Sequence, residues 1–283
     1  MKKKIKVLIF VVAYNAEKTI ESVIDRIPKI LFKSFNLEII IIDDASNDST
    51  FETSKKIKNQ NKFNLKLNIF SNPANQGYGG NQKIGYYYAI KNNFDYVVLL
   101  HGDGQYAPEE LPKLLQEIKN RKNDVVIGSR MISRKKALDG GMPIYKLIGN
   151  IILTKIQNFL LGTKLAEFHS GYRVYSVKTL KKIPFILNTQ DFHFDTEILI
   201  QLFSINAKIK EISIPTFYGD EICHVNGIKY AFDVVKTTFT AVLQDKFNLK
   251  IADKYKKNTK IKKIYKNHAI DKLLVKAKKR IWF

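Results

Sequence analysis

The stretch LLHGDGQYAPEEL, residues 99–111, decides the fold class. It closes the apolar run YVVLL and then sets His101, Asp103 and Gln105 at alternate positions. Pro108 with Glu109 and Glu110 marks the start of a helix just beyond. A buried strand, a polar turn and a helix therefore follow one another, and the same unit recurs along the first half of the chain. KVLIFVVA precedes helix-period residues 17–28, LEIIIIDD precedes 48–60 with a helix start at Ser46 to Ser49, and LKLNIF precedes 78–92. After 108–121 comes DVVIGSR. Continuous apolar strands are buried on both faces, which predicts an α/β fold: a mostly parallel central sheet flanked by helices. In such sheets ligands bind outside the carboxyl ends of the strands. Tyr14-Asn15, Asp43-Asp44 and His101 to Gln105 all fall there.

The composition supports a sizeable core, with 283 residues of which 45% are hydrophobic. The formal charge of +22, from 48 basic and 26 acidic residues, favours anionic partners. The single cysteine, Cys223, excludes an intramolecular disulfide and a multi-cysteine zinc site, which suits a reducing cytoplasm. MKKKIKVLIFVVAYN has the basic-then-apolar order of a signal peptide, but its apolar run is short and β-branched and has no small-residue cleavage site, so it is expected to be the first core strand. No window reaches the ~18–20 apolar residues of a membrane span.

Two segments allow more than one expectation. Over 142–165, Ile144, Ile148, Ile151, Ile152, Ile156, Phe159 and Leu160 gather near one helical face, with Lys146, Asn150 and Asn158 elsewhere; this is either a helix packed on the sheet or one facing a membrane or an acceptor. Residues 246–283 carry 14 Lys or Arg against 2 Asp. The expected organisation is a catalytic domain over 1–217 and a helical, Lys-rich C-terminal extension over 218–283. Ile261, Ile264, Tyr265, Leu273, Leu274, Val275, Ile281, Trp282 and Phe283 interrupt the lysines, as in a segment lying on an anionic bilayer; a solvated or docked tail is the alternative.

Asp43 and Asp44 end a buried strand and would be costly there unless they face a polar crevice or a helix N-terminus. Capping the next helix is the plainer role for Asp43. Asp103 and Gln105 offer oxygen ligands suited to Mg²⁺ or Mn²⁺, and His101 tips the set toward Mn²⁺. Gly77, Gly79 and Gly80 precede a helix, where backbone N–H groups can approach a phosphate or a sugar. In DFHFDTEILIQLF, His193 precedes Asp195 and Glu197, candidates for a general base if the acceptor is a hydroxyl; a helix N-terminal acid is the alternative for Glu197. His169 is either a structural hydrogen-bonder or an acceptor contact.

Taken together, VVAYNAEKTIESVI, IIIIDDASNDST, NQGYGGNQKIG, LLHGDGQYAPEEL, DVVIGSR and SGYRVYS resemble the family 2 glycosyltransferases of GT-A fold, over about residues 5–217. They look most like the branch acting on dolichyl and polyprenyl phosphates. The resemblance implies nucleotide-sugar contacts from Ala13, Tyr14, Asn15, Glu17, Asp43, Asp44, Gly77, Gly79 and Asp103, with Tyr14 and Asp44 on the base. It implies a metal held by Asp103, with Gln105 and His101, and diphosphate or acceptor contacts from Arg130, Lys146, His169 and Arg173. Catalytic roles are expected for Asp103, Arg130, Asp195 and Glu197. Three motifs depart from the family pattern: Ala13 and Ala16 stand for its Pro and Glu, His101 for the first acid of its D-x-D motif, and Glu167 for an Asp.

The implied activity is metal-dependent, inverting transfer from a UDP- or GDP-sugar to a polyprenyl phosphate, or alternatively to a sugar hydroxyl of a surface glycan. The implied location is cytoplasmic, peripheral at the inner membrane face. A nucleic-acid binder would carry a basic face with interleaved aromatics on one domain. Here the motifs converge on one acidic crevice and the excess charge gathers at the end of the chain, so nucleic acid is not expected as a partner.

Overall fold

A computed structural model describes residues 4–60, 66–218, 226–247 and 252–255. In chain order the elements are β1 (Lys6–Ala13), α1 (Ile20–Asp25), α2 (Ile30–Ser34), β2 (Asn36–Asp43), α3 (Thr50–Gln60), β3 (Leu67–Ser71), α4 (Tyr78–Lys91), β4 (Tyr96–His101), α5 (Leu111–Gln116), β5 (Val125–Ser129), α6 (Arg134–Asp139), α7 (Ile144–Leu161), β6 (Arg173–Ser176), α8 (Val177–Leu180), α9 (Phe194–Ser204), β7 (Ile209–Ser213) and α10 (Gly227–Phe247). The seven strands form one sheet in the order β3-β2-β1-β4-β6-β5-β7. All pairings are parallel except those of β6, which runs antiparallel to both β4 and β5.

The apolar runs behave as their composition demands. Val7 to Val11 and Ile39 to Ile42 are fully buried, so β1 and β2 present apolar side chains to helices on both faces. One core layer gathers Val7, Ile9 and Val11 with α1 and α5. The other gathers Leu8 and Phe10 with α4 and α9. Helix α4 is enclosed along almost its whole length. A β-carbon on Gly85 would lie 2.1 Å from the Phe10 ring, so only glycine lets α4 settle this close to β1. Tyr86 meets the rings of Tyr175, Phe185 and Phe194 at 5.2–6.3 Å. This clamp fixes the N-terminus of α4, and hence Tyr78, at the crevice.

The three central strand ends turn through left-handed backbone. Asn15 (φ 50°) follows β1, Ala45 (φ 57°) follows β2 and Gly104 (φ 80°) follows β4. For Ala45, a residue with a β-carbon and no polar side chain, this conformation costs about 1–2 kcal/mol.

Helix α7 differs from an ordinary sheet-covering helix. Its buried positions are the polar Thr154 and Gln157, while Ile144, Tyr145, Ile148, Ile152 and Phe159 are exposed. The expected 218–283 extension is packed on the body in its described part: α10 lies against α7 and α9. Residues 252–255 return to α9, where Gln201 donates to the Lys254 carbonyl at 3.0 Å. The hydrophobic positions from Ile261 to Phe283, and Cys223, lie outside the described residues. Among the described residues no helix is long and apolar enough to cross a membrane.

Candidate active site

The carboxyl ends of β1, β2 and β4 and the segments flanking β6 meet in one crevice. On one side of it Asp43 and Asp44 point apart. Asp43 accepts from Ser46 Oγ, from Ser46 N at 3.3 Å and from Ser71 Oγ at 3.4 Å, so it stabilises the turn after β2. Asp44 accepts from Asn72 Nδ2 at 2.6 Å and Gln76 N at 2.8 Å. Burial raises the pKa of both carboxyls. Tyr14 is 40% exposed beside them.

Asn15 and Glu17 knit the turns after β1 and β2 together. Asn47 N donates to Asn15 Oδ1 at 3.0 Å and Ser49 N to Glu17 Oε2 at 2.9 Å. Ala13 is buried in β1, its carbonyl accepting from Asp44 N at 2.9 Å.

The glycines act differently from the phosphate cradle expected of them. A β-carbon on Gly77 would lie 2.7 Å from Gln190 O, and one on Gly79 would lie 2.6 Å from Thr189 O. Gly79 N already donates to Gln190 O at 2.8 Å. These glycines admit the 189–190 backbone against the start of α4, and their space is filled by protein.

At the centre, Gly104 lets the chain turn so that Gln105 N donates to Asp103 Oδ1 at 3.0 Å. His101 Nδ1 lies 4.0 Å from Asp103 Oδ2, and the Asp103 side chain is 44% exposed. The His101 ring is held edge-on by Tyr106 at 4.9 Å and Tyr78 at 5.7 Å. Burial lowers its pKa, which keeps the imidazole neutral and thus able to ligate. A carboxylate, an imidazole nitrogen and an amide side chain on one turn form a donor set that fits Mn²⁺ well and Mg²⁺ less well.

A line of contacts runs back from His101. Tyr78 Oη is 3.5 Å from His101 Nε2 and donates to Asp195 Oδ2 at 2.7 Å. Asp195 Oδ1 is 3.4 Å from Arg173 Nη1. Tyr78 carried no signal in the sequence beyond its place in QGYGG, and its role emerges only from the fold.

Arg173, expected at the acceptor, is instead fully buried. It donates to the carbonyls of Ser170, Phe168 and Asp195 at 2.7–2.9 Å and to Tyr175 Oη at 3.1 Å. It supports Asp195 from behind, its guanidinium enclosed by protein. Glu197 is likewise enclosed: Thr189 N donates to it at 2.6 Å, Thr237 Oγ1 at 3.1 Å, and Lys254 Nζ pairs with it. A carboxylate so engaged is a structural anchor, which corrects its expected place as a base.

On the far side Arg130 and Glu167 form a buried pair. Glu167 accepts from Arg130 N at 2.7 Å and Nε at 2.9 Å and from Nη2, while Arg130 Nη1 donates to Tyr218 Oη at 3.1 Å. Burial opposes the Arg130 charge, but Glu167, Tyr106 and Tyr218 more than offset this and raise its pKa. Asn150 of α7 completes the Glu167 shell at 2.8 Å. Lys146 Nζ stands 5.0 Å from the centre of the Tyr218 ring. His169 Nδ1 is 2.8 Å from Tyr230 Oη, its Nε2 has no hydrogen-bond partner among the described residues, and burial lowers its pKa to about 4.

A second cluster, Asp191, His193 and Asp233, brings its ligand atoms within 4.8 Å of one another. Lys229 Nζ already occupies Asp191 at 2.9 Å.

The Glycosyl transferase family 2 model matches residues 8–184. UDP-N-acetylglucosamine--dolichyl-phosphate N-acetylglucosaminyltransferase of Methanococcus voltae is 30% identical, over 76% of this chain and 86% of that protein. Undecaprenyl-phosphate mannosyltransferase of Micrococcus luteus is 24% identical, over 77% and 84%. Among solved structures, glucosyl-3-phosphoglycerate synthase from Mycobacterium tuberculosis in complex with Mn²⁺, UDP and glucosyl-3-phosphoglycerate aligns with a TM-score of 0.58 at 18% identity, covering 85% of this chain and 79% of that one. That similarity establishes the shared fold.

Proposed function

This chain belongs to glycosyl transferase family 2, and from that premise we propose that it moves a sugar from a nucleotide-diphosphate sugar to a polyprenyl phosphate, with inversion, at the cytoplasmic surface of a membrane. The observation that carries the acceptor is the state of the two carboxylates expected to act as bases. Glu197 is enclosed and paired with Lys254, and Asp195 is held by Tyr78 and Arg173. A hydroxyl acceptor requires a base, whereas a lipid phosphate arrives as an anion and needs none. The M. voltae and M. luteus relatives are named for dolichyl and undecaprenyl phosphate acceptors, which agrees.

Asp44 and Tyr14 would receive the base of a UDP- or GDP-sugar. Asp103, His101 and Gln105 would hold Mn²⁺ or Mg²⁺, which when bound supplies Lewis-acid stabilisation of the leaving diphosphate. Arg130, held in place by Glu167, and Lys146 add positive charge on the side where the diphosphate and the acceptor phosphate meet, so charge developing in the transition state finds fixed dipoles and cations in place. His169 stands at the same wall, and Tyr78 keeps His101 oriented through Asp195.

The test is a thermal-shift screen of UDP- and GDP-sugars with each cation, followed by turnover of the stabilising donor with an isoprenoid phosphate or a sugar hydroxyl acceptor. Sugar–phosphoisoprenoid formation is expected. Turnover on the hydroxyl acceptor alone would transfer the assignment to the glycan reaction and return Asp195 to the role of base.

A further inference from the structure

Helix α7 packs Leu147, Ile151 and Leu161 against the body and yet carries a second set of large apolar side chains on its outer face. With successive residues about 100° apart on a helix, Ile144, Ile148, Phe159, Ile152 and Tyr145 fall within one arc of roughly 100° and are 50–87% exposed. The inward side carries Thr154 and Gln157, buried, and Asn150, which bonds Glu167. Its neighbour α10 repeats the arrangement. Ile228, Phe232 and Phe239 form a narrow stripe with 51–87% exposure, while Thr237, Thr238, Ala241 and Gln244 are buried on the opposite side. Val234 is fully buried on that inner side of α10 as well, so large apolar side chains exposed on the outer faces of two adjoining helices are in excess of what the core uses and mark a surface that meets an apolar medium.

The charges beside the stripes identify that medium. Helix α7 contributes Lys155 beside its stripe and no acidic residue, and α10 contributes Lys236 and Lys246 together with Lys229, which is paired with Asp191. Of the two acids on α10, Asp233 lies 3.9 Å from His193 Nδ1 and turns toward the body. A second copy of this chain would bring these lysines against one another. A bilayer with anionic headgroups accepts both the apolar stripes and the basic flanks.

We propose that the outer face of α7 and α10 is the membrane-docking surface of this protein, seated in the headgroup region of an anionic bilayer. This deepens the acceptor reading and rests on it in one respect: the same two helices reach the Arg130–Glu167 wall through Asn150 and Lys146, and His169 through Tyr230. Docking by this face brings the basic side of the crevice to the level at which a lipid phosphate lies.

The experiment uses the full chain with vesicles of phosphatidylcholine alone or mixed with phosphatidylglycerol, and no donor. Wild-type protein should sediment with the anionic vesicles. The pairs Ile152→Glu with Phe159→Glu, and Phe232→Glu with Phe239→Glu, should each lower the partition coefficient at least tenfold, with melting temperature and donor binding unchanged, since all four side chains face solvent. Phe159→Trp in a Trp282→Phe background should show blue-shifted emission on adding anionic vesicles. Wild-type partitioning by both pairs, or an emission unmoved by vesicles, overturns the proposal. So does a dimer in lipid-free solution that the same pairs dissociate. Because binding is read without turnover, a failure here is separate from a failure of the acceptor assignment, which a water-soluble isoprenoid phosphate tests by itself.

Discussion

Replacing Gly171 by alanine tests the centre of the crevice with a single methyl group. The new β-carbon would stand 2.6 Å from His101 Nε2 and 2.8 Å from both His101 Cε1 and Tyr78 Oη. Ordinary contact begins near 3.4 Å, so these atoms must retreat by roughly 0.6–0.8 Å. His101 cannot do so freely, because Tyr106 and Tyr78 hold its ring. The displacement is passed to the His101–Asp103 pair or along Tyr78 to Asp195. Overpacking of this kind costs about 1–3 kcal/mol, and misplacing a reacting group by ~1 Å costs up to ~100-fold in rate. Gly171→Ala should therefore lower kcat/KM about 10- to 100-fold and weaken the apparent Mn²⁺ affinity, while the protein still folds. The assay is donor turnover across a Mn²⁺ titration, beside a denaturation curve. In a His101→Ala background most of the clash is gone, so the penalty of the alanine should shrink there. Wild-type turnover and metal affinity in Gly171→Ala, or a penalty undiminished in the double variant, would refute the placement of His101 at the reacting centre.

Asp103→Ala should abolish metal-dependent donor binding with the melting temperature of the ligand-free protein unchanged, and His101→Ala should erase a preference for Mn²⁺ over Mg²⁺; calorimetric titration reads both. Asp44→Asn should weaken discrimination between UDP and GDP, because an amide presents donors where the carboxylate only accepts; competition binding shows it. His169, held down to about 4 by burial, stays neutral where an unfolded histidine near 6.5 takes up a proton. Its contribution to stability is whole above about pH 6.5 and is lost as pH falls toward 4, a span worth on the order of 3 kcal/mol, so His169→Gln should flatten that part of a denaturation-versus-pH profile. Lys254→Ala leaves the Glu197 carboxylate enclosed without its cation and should cost on the order of 3 kcal/mol. Truncation after Gln244 should cost at least as much by urea denaturation, and an unchanged midpoint would mean that the extension does not brace α9.

The strands and the crevice were legible in the sequence because unbroken runs such as LEIIIIDD admit one environment, and because polar residues directly after them can lie only at strand ends. The antiparallel β6 was not marked as a strand. RVYS is too short and too mixed to show a period, and only its neighbours β4 and β5 define it. For α7 the apolar stripe was visible but not its direction, since periodicity gives a face and not what the face meets. The burial of Arg173 and Glu197 was hidden for a related reason: charged side chains look available until the fold supplies Asp195 and Lys254 as partners. Gly77 and Gly79 looked like an open loop because the segment that fills their space, 189–190, lies more than a hundred residues away.

The position of β6 also bears on the order in which the molecule assembles. Strands β1, β2 and β3 pair with one another across about 30 positions, but β4 joins β1 across about 90, and β5 and β7 reach the rest only through β6, whose residues pair with β4 from about 75 positions downstream. Contacts so distant close late, because the chain must first give up the freedom of the intervening loop. This one strand and the residues just before it carry Arg173, His169 and Gly171. Strands β1, β2 and β3 can thus pair before β4 and β6 bring the rest of the crevice to them, and pulse-labelled hydrogen exchange should find amides of β1 and β2 protected before those of β6. A nascent chain would then build the turns that carry Tyr14 and Asp44 before the one that carries Asp103.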